Sequence, residues 1–279
     1  MEGLPRRGTG VRSLGLPLPP EPMALMRWGR PLKRWRYVGF YGPEVMLCAG
    51  DAQVGLLRQR FWAVAERGRP LIERTSLRSA GVVMDGPRVS IESNEVQLEL
   101  ALEEAGGVES IHPAGRHGYV WTRKQAPVPM RGSLTVEGRT IALAGEGVID
   151  DTAGYHRRRT SWRWSAGIGR GENGESIGWN LVEGVNDSPK DSERAIWVDG
   201  SAFEPGPVAI AADLSHIEFS EGGRLEFSGW RGAVREDSTN ALLLRSRYRQ
   251  PFGEFTGELP GGVTLAEGHG VMESHDARW

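Results

Sequence analysis

Apolar and polar residues alternate over many short segments of the chain. In residues 96–103 every second residue is apolar, and most of the others are polar. His216–Phe219 and residues 224–227 repeat this alternation on either side of Glu221-Gly222-Gly223. Because successive side chains of a strand point to opposite faces and glycine supplies the positive φ of a tight turn, the pattern predicts antiparallel hairpins. The predicted fold class is all-β.

Two segments depart from this alternation. Residues 1–30 carry prolines at 5, 17, 19, 20 and 22, which interrupt helices and strand ladders. They are predicted to form a Pro-rich lead or strap. A short helix near residues 232–246 is the other expectation.

The chain also contains an internal repeat. Trp35-Arg36-Tyr37 resembles Trp162-Arg163-Trp164, residues 132–134 resemble 257–259, and residues 145–150 resemble 268–273. The three matches occur in the same order, with offsets of 127, 125 and 123 residues. They predict two copies of one β-barrel-like unit, over residues 31–150 and 151–279.

Each copy opens with a Trp-Arg-aromatic strand and closes with a Gly-x-Gly strand that ends in an acid. Pairing of the first and last strands would leave no exposed edge between them. We therefore expect Arg36 to lie near Asp150, and Arg163 near Glu273.

Composition limits the partners and the compartment. The 279 residues include 34 Lys and Arg against 36 Asp and Glu, a net charge of −2, so no field attracts a nucleic acid. Cys48 is the only cysteine, which excludes an internal disulfide and suits a reducing compartment. The sequence has no apolar stretch of the length that a membrane span needs, and no signal peptide is recognised. A cytoplasmic location is expected.

The polar stretch from Asp150 to Trp164 joins the two copies. On a strand through this segment one face carries the tryptophans, which should point inward. It would bring an imidazole and a guanidinium into an apolar barrel mouth, which is how small-molecule sites are built. Asp150, with a pKa raised by burial, and His156 are the candidate catalytic residues. The candidate ligand-binding residues are Arg158, Trp162, Trp164 and Trp179.

Structural roles compete with these assignments. Asp150 could serve merely to pair with Arg36 or Arg158, or to accept backbone hydrogen bonds at a turn, and Glu273 at the same place in the second copy favours such a repeated structural role. His156 could be a hydrogen-bonded barrel histidine. Most tryptophans are more simply core. The histidines at 112 and 117 have unspecific spacing, so neither a metal nor a cofactor is predicted.

Several motifs resemble those of a known family. Arg34–Gly39, Phe61-Trp62-Ala63-Val64, residues 150–156, Gly178-Trp179-Asn180-Leu181 and residues 270–273 are similar to the bacterial domain-of-unknown-function family 2804. More distantly, Gly145 to Asp150, Gly154 and Trp162-Arg163-Trp164 resemble the two-domain lipocalin-like proteins that include carotenoid 1,2-hydratase. The latter resemblance implies two tandem lipocalin-like antiparallel β-barrels, or strongly curved β-sandwiches, with Asp150 at the acidic position. The His-rich run of the hydratases is absent here.

Three functions fit these observations. The first is binding of a small hydrophobic molecule, lipid-like or isoprenoid-like, in a barrel cavity. The second is a cofactor-independent hydratase, isomerase or cyclase that acts on such a molecule by acid–base chemistry, which needs a carboxylic acid or histidine at the cavity. The third is a carbohydrate-binding β-sandwich, which would need tryptophans exposed in a row.

Overall fold

The computed structural model describes residues 3–241 and 244–278, which build two large curled antiparallel sheets. The prediction of an all-β fold is confirmed. Two one-turn 3-10 helices, Gly8–Gly10 and Arg12–Leu14, lie in the N-terminal segment.

The strands of the first half, in chain order, are β1 (Arg6–Arg7), β2 (Met26–Arg27), β3 (Arg30–Pro31), β4 (Lys33–Tyr41), β5 (Val45–Val54), β6 (Leu57–Glu66), β7 (Ile72–Ser76), β8 (Val82–Asp85), β9 (Arg88–Glu92), β10 (Val96–Leu102), β11 (Val108–Ala114), β12 (Gly118–Val136) and β13 (Arg139–Gly154). Those of the second half are β14 (Arg159–Gly171), β15 (Ser176–Glu183), β16 (Ala195–Val198), β17 (Ser201–Phe203), β18 (Val208–Ile210), β19 (His216–Phe219), β20 (Arg224–Ala241), β21 (Leu244–Leu259) and β22 (Val263–Arg278).

The two sheets have the same topology. The first runs β7-β6-β5-β4-β13-β12-β10-β9-β8, with β11 and β1 added beside β12. The second runs β17-β16-β15-β14-β22-β21-β20-β19-β18. In each sheet four strands meander to one edge, and the last strand of the half pairs back onto the first. This repeated strand order matches the internal repeat of the sequence. The division into domains at residue 150 stays a prediction, and β13 continues to Gly154.

The expected strand pairing is present, but the expected arginine partners are wrong. β4 pairs with β13, and β14 pairs with β22. The register places Asp150 opposite Tyr37, whereas Arg36 lies opposite Asp151. Because neighbouring residues on a strand face opposite sides, Arg36 pairs with Asp151 and Glu104 instead. Arg163 likewise pairs with Glu183.

The expected helix near residues 232–246 is also wrong. β20 runs through Ala241 and β21 begins at Leu244, while residues 242 and 243 lie outside the described part. β20 and β21 pair in register from Val234 opposite Pro251 onward. Cross-strand pairing therefore overrides the local preference of this Ala- and Leu-containing segment for a helix.

Three apolar clusters organise the core. One contains only first-half residues, among them Trp62 and Leu98, and fills the concave side of the first sheet. Another contains only second-half residues, among them Trp179 and Phe255, and fills the second. A third, which we call the interface cluster, combines Tyr37, Tyr41, Met46, Cys48, Ala63, Ala65, Ala126 and Val148 with Trp164, Ala166, Ile168, Val182, Ala195, Trp197, Trp230, Ala233, Phe252 and Val271. The two sheets therefore pack against each other through the faces opposite those that carry their own clusters.

The N-terminal segment ties the halves together. Val11 and Leu18 pack with Tyr119 on β12 and with Tyr155, which follows β13. Arg7 donates from Nη1 to the carbonyl oxygens of Ser192 at 2.6 Å and Arg194 at 2.8 Å, in the second half. In the described residues, no helix has the length and apolar character needed to cross a membrane.

Close backbone approach explains the second glycine of the repeated Gly-x-Gly motif and generates a prediction. A Cβ on Gly147 would overlap the carbonyl oxygen of Gly39, and one on Gly270 would overlap that of Ala166. Because backbone cannot yield as a flexible side chain does, Gly147→Ala and Gly270→Ala should each lower the free energy of unfolding by about 2 kcal/mol. Urea unfolding measures this loss.

Gly106 supplies the matched control. A Cβ there would meet no atom within 4 Å. Gly106→Ala should leave the free energy of unfolding unchanged or slightly higher. Equal effects at the three positions would contradict the assignment of the motif to close strand packing.

Candidate functional site

A cavity lies between the two sheets, beside the interface cluster. The volume of this cavity is about 160 Å³, whereas a single bound water needs roughly 15 Å³. Both sheets supply its walls: the first gives Trp35, Arg36, Tyr37, Ala52, Gln59, Phe61, Lys124 and Asp150, and the second gives Trp162, Trp164, Val182, Arg235, Asp237, Ser246, Tyr248, Glu273 and His275, with His156, Val185, Asn186 and Glu193 from connecting segments. The sequence placed the cavity in a barrel mouth. It lies between the sheets because each sheet's concave side is filled by its own cluster.

Aromatic side chains from equivalent positions of the repeat meet at this cavity. The rings of Trp35 and Trp162 are parallel within 5°, with centroids 6.5 Å apart. Tyr37 and Trp164 make an edge-to-face contact at 5.4 Å. Each residue thus contacts its own counterpart, so the two halves face each other through corresponding surfaces. Flat apolar walls of this kind suit a ring-containing molecule.

Asp150 belongs to a buried ionic cluster. Lys124 on β12 places Nζ 2.5 Å from Oδ1 of Asp150 and 3.6 Å from Oε2 of Glu193. Thr152 also donates to Asp150 at 3.0 Å. Burial acts to lower the pKa of Lys124, but the two carboxyl groups outweigh it and raise that pKa. Lys124 is therefore charged, and it joins a first-half strand to a second-half loop.

Glu273 has a different environment. Oε1 accepts from Nε1 of Trp162 at 2.8 Å, while Oε2 accepts from the hydroxyl of Tyr248 at 2.9 Å and from Nε2 of Gln250 at 3.1 Å. Burial raises the pKa of Glu273 to about 7; the Tyr248 and Trp162 hydrogen bonds oppose this rise. The negative charge of Asp150 adds to the rise and Arg235 opposes it. At neutral pH this carboxyl therefore retains a proton in a large fraction of molecules.

One position that differs between the two copies of the repeat gives the two acids different partners. Gln250 follows Lys124 by 126 residues, within the offsets of the repeat, and each contacts the acid of its own half. Asp150 thus has a cation as its partner, whereas Glu273 has neutral donors. Pairs of titratable groups whose environments differ in this way provide the separate acid and base roles of many active sites.

Two histidines at the cavity are neutral at physiological pH. Burial, with a contribution from Lys33 and Lys124, lowers the pKa of His156 to about 3. Its ring lies 5.2 Å from that of Trp35, and its buried Nε2 has no hydrogen-bond partner in the described part of the chain. Burial lowers the pKa of His275 to about 4, and its ring packs on Trp162 at 4.3 Å. His156 therefore carries no positive charge near neutral pH, and its catalytic role stays a prediction.

The structure brings together four of the six residues named from the sequence. Asp150, His156, Trp162 and Trp164 line the cavity. Arg158 is exposed outside it. Trp179 is buried in the interior of the second sheet, where it donates to Oγ of Ser165 at 3.0 Å.

Sequence reasoning missed most of the polar wall. Lys124, Glu193, Arg235, Tyr248 and Gln250 were not singled out, and Glu273 was noted only as the counterpart of Asp150. The repeat offers a signal for Gln250, since aligning it with Lys124 shows a change from cation to amide. Arg235 and Glu193 have no such signal, because only the packing of the two halves brings them to the cavity.

Other histidines do not assemble a metal site. Nε2 of His112 lies 2.9 Å from Oγ of Ser110, and His117 packs against Trp28. Over residues 3–241 and 244–278, no group of three or more His, Cys, Asp or Glu side chains could hold a metal ion.

The protonated state of Glu273 predicts a pH-dependent stability. The ordinary pKa of 4.5 applies in the unfolded chain, and about 7 applies in the folded one. Between these values the unfolded state releases a proton that the folded state keeps, so Glu273 lowers the free energy of unfolding as pH rises. The expected total is about 3 kcal/mol. Glu273→Gln should remove this loss. The free energy of unfolding of the variant should therefore increase relative to that of wild type from pH 4.5 to 7.

Urea unfolding across that pH range provides the measurement. Glu258→Gln, at an exposed position on β21, is the control and should show no pH-dependent difference from wild type. A Glu273→Gln difference that stays constant with pH would contradict a raised pKa.

Comparisons with known proteins agree with the fold. An ATTH-type protein from Nitrosomonas europaea has a TM-score of 0.55 at 12% identity, over 88% of this chain and 92% of that one. Kievitone hydratase from Nectria haematococca has a TM-score of 0.53 at 12% identity, over 86% of this chain and 88% of the hydratase. None of the curated proteins matches. The family model described as "Domain of unknown function (DUF2804)" matches residues 72–279, and the chain belongs to that family.

Proposed function

We propose that the protein binds a small, mainly apolar, ring-containing molecule in the cavity between its two sheets. The observation that carries this proposal is the pair of parallel indoles, Trp35 from one sheet and Trp162 from the other, which both line one cavity. Tyr37, Phe61 and Trp164 extend the aromatic surface. A few polar groups among apolar walls are typical of small-molecule sites.

A cavity-filling variant tests this proposal. Ala52 lines the cavity, and Ala52→Trp should occupy the space that the ligand needs. Isothermal titration with naphthamide, a neutral two-ring probe, should detect binding to wild type and a loss of at least about tenfold in the variant, the effect of roughly 1.4 kcal/mol of lost contact.

Ala101→Trp is the control for that experiment. Ala101 is exposed on β10, away from the cavity, and this variant should bind naphthamide as wild type does. Binding that survives Ala52→Trp, or that is absent in wild type, would contradict the proposed site.

Acid catalysis on an unsaturated ligand is the second candidate function. The observation that favours it is the Glu273 carboxyl, which has a pKa of about 7 and lines the cavity. In a hydration, Glu273 would give its proton to one carbon of a double bond. A water oxygen would bond to the other carbon, and a proton of that water would return to the Glu273 carboxylate. A general acid is most effective with a pKa near the working pH, and one structural neighbour is itself a hydratase.

Two substitutions test this second function by different routes. Glu273→Gln removes the proton donor, and Gln250→Lys places a cation beside Glu273, as Lys124 does beside Asp150, which should ionise it. Wild type, incubated with a metabolite extract of its source in water labelled with heavy oxygen, should yield a hydrated product seen by mass spectrometry. Both variants should lose at least about a hundredfold in rate.

Ser274→Ala is the control, because Ser274 lies next to Glu273 on β22 and is absent from the cavity wall. It should retain the wild-type rate. An equal rate in all variants, or no labelled product from wild type, would contradict hydration by Glu273.

A further inference from the structure

Arg235 is a buried cation in the wall of the cavity. Its side chain is only 4% exposed. The guanidinium lies over the ring of Phe61, 3.8 Å from the centroid, and 4.9 Å from that of Tyr248. A buried charge is costly unless it has a charged partner and hydrogen bonds. The hydrogen-bond partners of this guanidinium therefore decide whether it has donors left for a ligand.

The protein satisfies this guanidinium incompletely. Oε2 of Glu73 lies 3.3 Å from Nε, close enough for an ion pair. Nε nevertheless has no hydrogen bond, because its N–H is not aligned with that oxygen. Nη2 donates to Oγ1 of Thr75 at 3.2 Å. Among the described residues this is the one hydrogen bond of the guanidinium, so most of its five N–H donors remain unused.

The other cations of the cavity are already hydrogen-bonded to acids. Arg36 donates to Asp151 and Glu104, and Lys124 contacts Asp150 and Glu193. The remaining acids of the wall are Glu273, which has only neutral donors, and Asp237, which follows Arg235 on β20. Arg235 differs from Arg36 and Lys124, because within the described residues its guanidinium has no hydrogen bond to an acid.

These contacts define what a ligand needs in order to complete the site. A guanidinium presents its N–H groups in a planar fork that matches a carboxylate better than any neutral acceptor. The aromatic walls belong to the same cavity: Phe61 stacks on the guanidinium, and both indoles line the cavity with it. An aromatic molecule that carries a carboxylate would pack on these aromatic walls and accept hydrogen bonds from Arg235.

We propose that Arg235 binds the carboxylate of an aromatic or similarly flat carboxylic acid, which makes this class of acid the ligand of the cavity. The inference rests on the proposed function, since it assigns a chemical class to the molecule that the cavity binds. Arg235 acts here as a specificity-determining residue, which selects charged over neutral molecules of the same shape.

A matched pair of probes separates charge from shape. Naphthoate and naphthamide have the same rings and differ in that only naphthoate is anionic. Isothermal titration of wild type should give naphthoate at least about tenfold tighter binding, as expected for charge-assisted hydrogen bonds. Arg235→Gln should remove this preference while naphthamide affinity changes less than about twofold, and Arg235→Lys should retain part of it.

Arg231→Gln, at an exposed position on the same strand, is the control and should bind both probes as wild type does. If wild type binds naphthamide as tightly as naphthoate, or if Arg235→Gln and Arg235→Lys weaken the binding of both probes equally, the proposed role of Arg235 is wrong and the proposed function stands. If wild type binds neither probe, the proposed function itself is wrong. Unchanged naphthamide binding in Arg235→Gln also shows that the cavity is intact.

Discussion

The contact of Lys124 with Asp150 and Glu193 is the constraint on which the site depends. Lys124 and Asp150 belong to the first sheet, and Glu193 precedes β16 of the second. Buried ion pairs rarely add net stability compared with apolar residues of the same volume, but removing one member leaves an uncompensated charge. Such a cluster therefore restricts how the two halves can pack. Lys124 and its two acids line the same cavity as Trp35 and Trp162, so the packing that this cluster restricts is also the packing that forms the cavity.

Duplication followed by divergence explains how one cavity acquires two unlike acids. Asp150 and Glu273 occupy equivalent positions on β13 and β22, and the repeat-related indoles lie beside them. Where the first half has Lys124, the second has Gln250, so Glu273 has neutral donors, and burial raises its pKa to about 7. A symmetric interface thus becomes chemically asymmetric through one position. Its charged side is held by Lys124, and its other side carries a carboxyl group with neutral hydrogen-bond donors.

The sequence predicted the strands better than the site. Alternation along residues 96–103 and the glycine turns were enough for the all-β class, and the repeat anticipated the pairing of first and last strands. The faces of Trp162 and Trp164 followed from period-two geometry. The helix predicted near residues 232–246 failed because residues with helix preference are paired in register with β21.

The functional residues were harder to predict for a different reason. Asp150 was recognised, but its partner Lys124 lies 26 residues earlier and becomes adjacent only through the register of β12 and β13. Arg235 reaches Glu73 and Thr75 on β7 across the interface between the halves. Periodicity shows which face a residue occupies, whereas such contacts depend on how two sheets pack. The cavity was accordingly expected within one barrel and lies between two sheets.

A crystal structure of the protein with naphthoate bound is the most direct measurement of the central claim, that the two halves share one ligand site. We predict rings against Trp35 and Trp162 and a carboxylate within hydrogen-bond distance of the Arg235 guanidinium, with Lys124 still between Asp150 and Glu193. Rings inside either sheet's own apolar cluster, beside Trp62 or beside Phe255, would contradict it.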